Sequence, residues 1–214
     1  MLTGQVDGVG APKAAAAALL FLALCLTGCN RGSEPRRQIQ PEYDRQTGRL
    51  RILRYDADGD GKVDTISHMD GSRVLSIEID KNEDGVIDRW EHYDNDQKLE
   101  KVGFSRANDG KEDTWLYARS DGSIERIDIS LARDGTITRR EYYENGVVVR
   151  AEEDSDGDGA VDKWETYEGD RLAAVAFDTG HRGRLDRRFI YGPDGSVRFE
   201  IDPDGDGAFV VQKQ

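Results

Sequence analysis

The chain has 214 residues, with 30 Lys and Arg against 43 Asp and Glu, and a formal net charge of −13 at pH 7. Such a field repels phosphate and excludes a nucleic-acid binder held by overall charge. Hydrophobic residues make up 36% of the chain and charged residues 34%, too polar for several membrane spans and lean for a thick two-layer core. The two cysteines, Cys25 and Cys29, lie close together near the N-terminus, so no disulfide framework exists.

Residues 14–26 are an apolar run, AAAAALLFLALCL, preceded by Lys13. The run falls short of the roughly 20 residues of a spanning helix and has the length of a signal-peptide core. It ends in Leu26-Thr27-Gly28-Cys29, which resembles the lipobox of bacterial lipoproteins. The resemblance implies cleavage after Gly28, lipidation of Cys29 and a membrane anchor in the cell envelope. Asn30 stands where an inner-membrane retention aspartate would be, so the outer membrane is the expected address in a host with two membranes. Residues 1–28 are then a lipoprotein signal peptide. Residues 29–42, NRGSEPRRQIQPE after the cysteine, are the lipidated N-terminus and a flexible tether.

Residues 43–214 form a repeat domain. Gly61, Gly85, Gly110, Gly135, Gly159, Gly183 and Gly207 recur at intervals of 24 or 25 residues, the signature of one supersecondary unit stacked on itself. Each unit has two turn signals: an acidic loop around the recurring glycine, and a second turn about ten residues later, such as Asp121-Gly122-Ser123 or Glu144-Asn145-Gly146. The runs between turns have strand length. The run before each acidic loop alternates, as in Ile77/Ile79, Val102/Phe104, Ile127/Ile129 and Val175/Phe177. The run after it carries Trp90, Trp115 and Trp164 in one column and Tyr93, Tyr143, Tyr167 and Tyr191 in another. These columns are three residues apart, so they occupy opposite faces unless a bulge intervenes. The expected fold is all-β: about seven antiparallel hairpin repeats in a meander, forming a twisted or coiled single sheet. The Tyr-rich strand, turn and Leu strand at 167–172 resemble MORN-type hairpins.

The acidic loops have cation-binding spacing. Asp80, Asn82, Asp84, Asp88 and Glu91 fall at the first, third, fifth, ninth and twelfth places of a twelve-residue window, with Gly85 at the sixth. Asp154, Asp156, Asp158, Asp162 and Glu165 repeat the pattern around Gly159. Both windows resemble the calcium loop of EF-hands, and the D-x-D-x-D-G core resembles dockerin and thrombospondin type 3 loops. The resemblance implies Ca²⁺ held by six to eight oxygens converging from alternate side chains. Asp56, Asp58, Asp60 and Asp64 form a third loop with Ser67 in the twelfth place, and Asp202, Asp204 and Asp206 a fourth with Val210 in the ninth. The loops around Gly110, Gly135 and Gly183 are depleted. Ser105, Ala107, Ser130 and Ala132 replace acids in two of them, and Arg182 in the third is expected to neutralise Asp178 and Asp186.

No nucleophile-base pair, phosphate loop or H-E-x-x-H motif is present, and the sequence reads as non-enzymatic. The expectation is a lipid-anchored envelope protein whose acidic loops bind calcium and stiffen a β-repeat spacer or adhesion module. The alternative is a metal-independent β-scaffold that binds an envelope protein or a glycan through its sheet faces.

Overall fold

The computed structural model describes residues 38–212; the signal segment and Cys29 lie outside the described residues. The strands are β1 (Gln38–Tyr43), β2 (Leu50–Asp56), β3 (Thr65–Asp70), β4 (Arg73–Ile79), β5 (Arg89–Tyr93), β6 (Leu99–Phe104), β7 (Thr114–Ala118), β8 (Ile124–Ile129), β9 (Arg139–Glu144), β10 (Val147–Glu153), β11 (Lys163–Glu168), β12 (Arg171–Phe177), β13 (Arg187–Tyr191), β14 (Val197–Ile201) and β15 (Val210–Val211). They form one open 15-stranded sheet in sequence order. Every pairing is antiparallel. Strands contact only their sequence neighbours, and no helix occurs among the described residues. The expected all-β meander is the observed fold.

β1 starts at Gln38, inside the stretch read as tether. Ile39 and Tyr43 supply strand-forming side chains, and Pro41, which has no N–H to donate, is tolerated because β1 is an edge strand.

Two kinds of connection alternate. Tight turns join the strands of each hairpin, and the acidic loops join one hairpin to the next. In six hairpins the second strand carries one extra residue: Arg51, Leu75, Glu100, Glu125, Val149 or Ala173. The bulge lies in the strand after the tyrosine, not in the strand that bears it. The Trp and Tyr columns therefore occupy opposite faces, and both faces carry aromatic cover.

One register row runs across the sheet: Leu53, Ser67, Ile77, Glu91, Val102, Leu116, Ile127, Glu141, Ala151, Glu165, Val175, Phe189 and Phe199. This face is mainly apolar. At its C-terminal end Phe189 stacks on Phe199 at 4.8 Å between centroids and meets Phe177 edge-on at 6.3 Å. The opposite face carries Glu78, Trp90, Gly103, Trp115, Asp128, Arg140, Glu152 and Trp164 in one row and is mixed in polarity.

With one layer, apolar burial is sparse: Val102, Trp115, Ala151, Ala173 and Val175 are the buried apolar side chains. Buried polar groups outnumber them, and most are carboxylates of the acidic loops. Stability therefore rests on strand pairing, on neighbour contacts within each face and on the order of these loops.

Candidate metal centre

All seven acidic loops lie along the same end of the sheet, because each leaves an even-numbered strand and the even-numbered strands all run in one direction. The backbone ladder continues through them. The N–H of the ninth-place residue donates to the strand residue before the loop, as Asp64 does to Tyr55 at 3.0 Å and Asp162 to Glu153 at 3.0 Å. The carbonyl of the same residue accepts from the first residue of the next loop, as Asp64 accepts from Asp80 at 2.8 Å and Asp162 from Asp178 at 2.9 Å. Neighbouring loops are thus stacked, roughly two strand spacings or about 9.6 Å apart.

The first-place side chain organises its own loop. Asp56 Oδ1 accepts from Gly59 N–H at 2.6 Å and Oδ2 from Gly61 N–H at 3.0 Å. Asp154 accepts from Gly157, Asp158 and Gly159 at 2.7, 3.2 and 2.9 Å. Asp80 and Asp202 repeat the arrangement. In the depleted loops Ser130 Oγ accepts from Asp134 and Gly135, both at 3.2 Å, and Ser105 Oγ from Asp109 at 3.1 Å. The amides converge on this residue because the sixth-place glycine is left-handed, at φ +94° in Gly61 and +93° in Gly159.

The ninth-place side chain closes the loop from the other side. Asp64 accepts from Ala57 N–H at 2.6 Å, Asp88 from Lys81 at 3.2 Å, and Asp162 from Ser155 N–H at 3.2 Å and Ser155 Oγ at 2.5 Å. Thr138 does the same with a hydroxyl. Most acids at the first and ninth places are buried: Asp56, Asp64, Asp80, Asp154, Asp162 and Asp202 are all at most 9% exposed, while ninth-place Asp88 and Asp186 are half-buried. Sequence reasoning took these as ligands and missed their second role. The signal was present in Ser105, Ser130 and Thr138, which keep an oxygen acceptor where the charge is lost.

Third- and fifth-place acids are exposed. Asp58, Asp60, Asp84, Asp156, Asp158 and Asp206 each accept the N–H two residues on through one oxygen, as does Asn82. Two loops bring acids together. Asp56, Asp58 and Asp64 place one oxygen each within 4.8 Å of one another, and so do Asp154, Asp156 and Asp158. Around Gly85, Asp84 is instead engaged by side-chain amides. Asn82 Nδ2 donates to it at 3.1 Å, and Asn108 of the next loop donates to the same oxygen. The Val86 amide, followed by Asn108, holds the Asp84 carboxyl below the usual carboxylate range. No such grouping forms at Asp202, Asp204 and Asp206, where ninth-place Val210 pairs with Ile201 in the sheet.

The twelfth-place glutamates join neither acidic group and bond within the sheet. Glu91 accepts from Arg89 and from Tyr93 Oη, both at 2.8 Å. Glu165 accepts from Arg139 at 2.7 Å and Tyr167 Oη at 2.8 Å, and pairs with Lys163 at 2.9 Å. Burial pushes the Glu165 carboxyl up, but the bonds from Arg139, Lys163 and Tyr167 outweigh burial and bring it down to about 2. The cause is rise per residue. A helix would carry the twelfth residue about 4.5 Å beyond the ninth, whereas a strand carries it about 10 Å away.

Cations of the chain fill one seam. Asp113 is fully buried and receives Arg106 Nε and Arg133 Nε, each at 3.1 Å; Arg133 also pairs with Asp109. At Gly183 the expected side-chain role of Arg182 is not seen. Asp178 is capped by the N–H groups of Arg182, Gly183 and Arg184, and Asp186 pairs with Thr179 Oγ1 and Arg187. His68 and His92, which share a repeat position, bond separately to Glu78 at 3.0 Å and Glu112 at 2.7 Å.

No family model matches the chain, and no curated protein matches it. Among solved structures, the crystal structure of TcdB2-TccC3-TEV is 13% identical over 81% of this chain, with a TM-score of 0.19. That of TcdB2-TccC3 is 12% identical over 78%, with a TM-score of 0.20. The chain spans 14% of the length of each of those chains.

Proposed function

We propose that the chain is a lipid-anchored protein of the cell envelope whose acidic loops take up Ca²⁺ and stiffen a β-repeat spacer or adhesion module. The observation that carries this reading is the convergence of Asp56, Asp58 and Asp64 in one loop and of Asp154, Asp156 and Asp158 in another. Asp60 and Asp162 complete the respective loop sets. Three or four carboxylates in one turn repel each other in the absence of a cation, and a hard divalent ion relieves that repulsion with oxygen ligands. Asp80, Asn82, Asp84 and Asp88, and Asp202, Asp204 and Asp206, are weaker positions, since the carboxylates of neither loop form such a group. Affinity is expected near that of extracellular modules, about 10⁻⁴ to 10⁻³ M. Anchoring rests on the lipobox-like segment at Cys29, with the outer membrane as the address in a host with two membranes. The role proposed is mechanical and adhesive, without a catalytic step.

The second reading, a metal-independent scaffold for a protein or glycan partner, is favoured by a different observation. The first- and ninth-place acids already accept loop amides, and Arg133 already neutralises Asp109 and Asp113. Calorimetric titration of Ca²⁺ into the chelator-stripped protein separates the two. Saturable heat lost in Asp58→Ala with Asp158→Ala supports calcium, and absence of heat at millimolar Ca²⁺ supports the scaffold.

A further inference from the structure

We propose that the seam between the fifth and sixth acidic loops binds a first-row transition ion of the Zn²⁺ class through Asp156, Asp162 and His181. Each of these residues offers one ligand atom, and the three atoms lie within 4.8 Å of one another. The site shares Asp156 and Asp162 with the proposed calcium loop, so the two ions would compete there; His181 distinguishes it, and the loop of Asp56, Asp58 and Asp64 has no such partner among the described residues.

His181 occupies the fourth place of its loop, where the backbone is left-handed in every repeat; its own φ is +50°. Two of the equivalent side chains point back at the preceding loop. Asn108 donates to Asp84, and Arg133 to Asp109 and Asp113. Both make direct bonds. The imidazole does not: its Nδ1 lies 3.7 Å from Asp156 Oδ2 and 3.8 Å from Asp158 Oδ2. These distances are too long for hydrogen bonds. They come within a few tenths of an ångström of the separation of about 3.4 Å between two ligands held at about 2.0–2.1 Å on a tetrahedral ion. The gap between His181 and Asp156 therefore has the size of an ion, where the seams crossed by Asn108 and Arg133 are closed by direct bonds.

The donor set selects the ion. An imidazole nitrogen beside two carboxylates suits Zn²⁺ and its neighbours, whereas Ca²⁺ prefers oxygen throughout. Asp162 is 7% exposed and fixed by the amide and hydroxyl of Ser155, so it is pre-oriented as metal-ligating carboxylates commonly are. Because the ligands come from two loops, the ion cross-links two repeats.

The test uses the full chain, stripped with chelator, and Zn²⁺ as the probe. The chain has three histidines, and the other two already bond to Glu78 and Glu112. Imidazole ¹⁵N resonances should therefore report the site directly. Zn²⁺ should move the Nδ1 signal of His181 alone, and His181→Gln and Asp156→Asn, both exposed positions, should each weaken Zn²⁺ binding at least tenfold. Unchanged Zn²⁺ affinity in His181→Gln, or shifts at His68 or His92 in place of His181, would overturn the proposal. Backbone amide shifts at residues 57–64 on adding Ca²⁺ to the same sample judge the calcium reading separately.

Discussion

Replacing Asp154 with Ala or Ser separates what this side chain does for the loop from what it does for a cation. In the folded protein its carboxylate accepts three loop amides at 2.7, 3.2 and 2.9 Å and is 9% exposed. Hydrogen bonds to a charged acceptor contribute about 1.5–3 kcal/mol each, but the loop lies at the sheet margin, where water satisfies part of the loss. Asp154→Ala should therefore destabilise the loop by about 2–4 kcal/mol. Serine is the natural solution at Ser130, whose hydroxyl accepts two amides at 3.2 Å, so Asp154→Ser should cost only about 1 kcal/mol. Because repeat arrays open locally, amide exchange at Gly157 and Gly159 is the suitable assay. It should accelerate by about 30- to 1000-fold in the alanine variant and by about 5-fold in the serine variant. Equal acceleration in both, or none in the alanine variant, would refute the assignment of the first-place residue as loop organiser.

Glu165 titrates in the folded protein at about 2 against an ordinary value of 4.5. Its contribution is complete above about pH 4.5 and is lost as pH falls through about 2. Glu165→Gln should cost about 1–3 kcal/mol at neutral pH and flatten that acid limb in urea unfolding at stepped pH; an unchanged limb would remove Glu165 from the Arg139 and Lys163 cluster. At Gly103 an added Cβ would run into the Glu112 carboxylate, so Gly103→Ala should displace Glu112 from His92. Because Glu112 is the far end of a flexible side chain, the cost should stay within about 1 kcal/mol, read as loss of the His92–Glu112 contact by NMR with little change in the unfolding midpoint. Cys29→Ser should release the protein from membranes into the soluble fraction, since an acyl chain contributes about 0.8 kcal/mol per buried CH₂; retention after a high-salt wash would rule out lipid anchoring.

The strand array was legible because its causes are local. The 24–25-residue glycine period, the alternation at Ile77/Ile79 or Ile127/Ile129, and paired turn signals all act within a few residues. The faces of Trp90 and Tyr93 were not legible, because they depend on which strand of the hairpin holds the bulge at Glu100. In the candidate site, the acids at Asp56, Asp58 and Asp64 and at Asp154, Asp156 and Asp158 were found from spacing alone. The sheet partners of Glu91 and Glu165 were not legible, because the spacing of an EF-hand loop assumes an outgoing helix, whereas Arg89–Tyr93 and Lys163–Glu168 leave as strands. His181 went unnoticed because Asp156 and Asp162 belong to the preceding repeat, 25 and 19 residues away, a distance bridged only by stacking of the loops.

Ca²⁺ titrated into the chelator-stripped full chain, followed by calorimetry and by the amide signals of residues 57–64 and 155–162, tests the central claim most directly. The account predicts saturable binding with a dissociation constant of about 10⁻⁴ to 10⁻³ M, signal changes in both segments, and their loss in Asp58→Ala with Asp158→Ala while the strand signals persist. Flat calorimetry with unmoved amides at millimolar Ca²⁺, or binding that survives both substitutions, would contradict it.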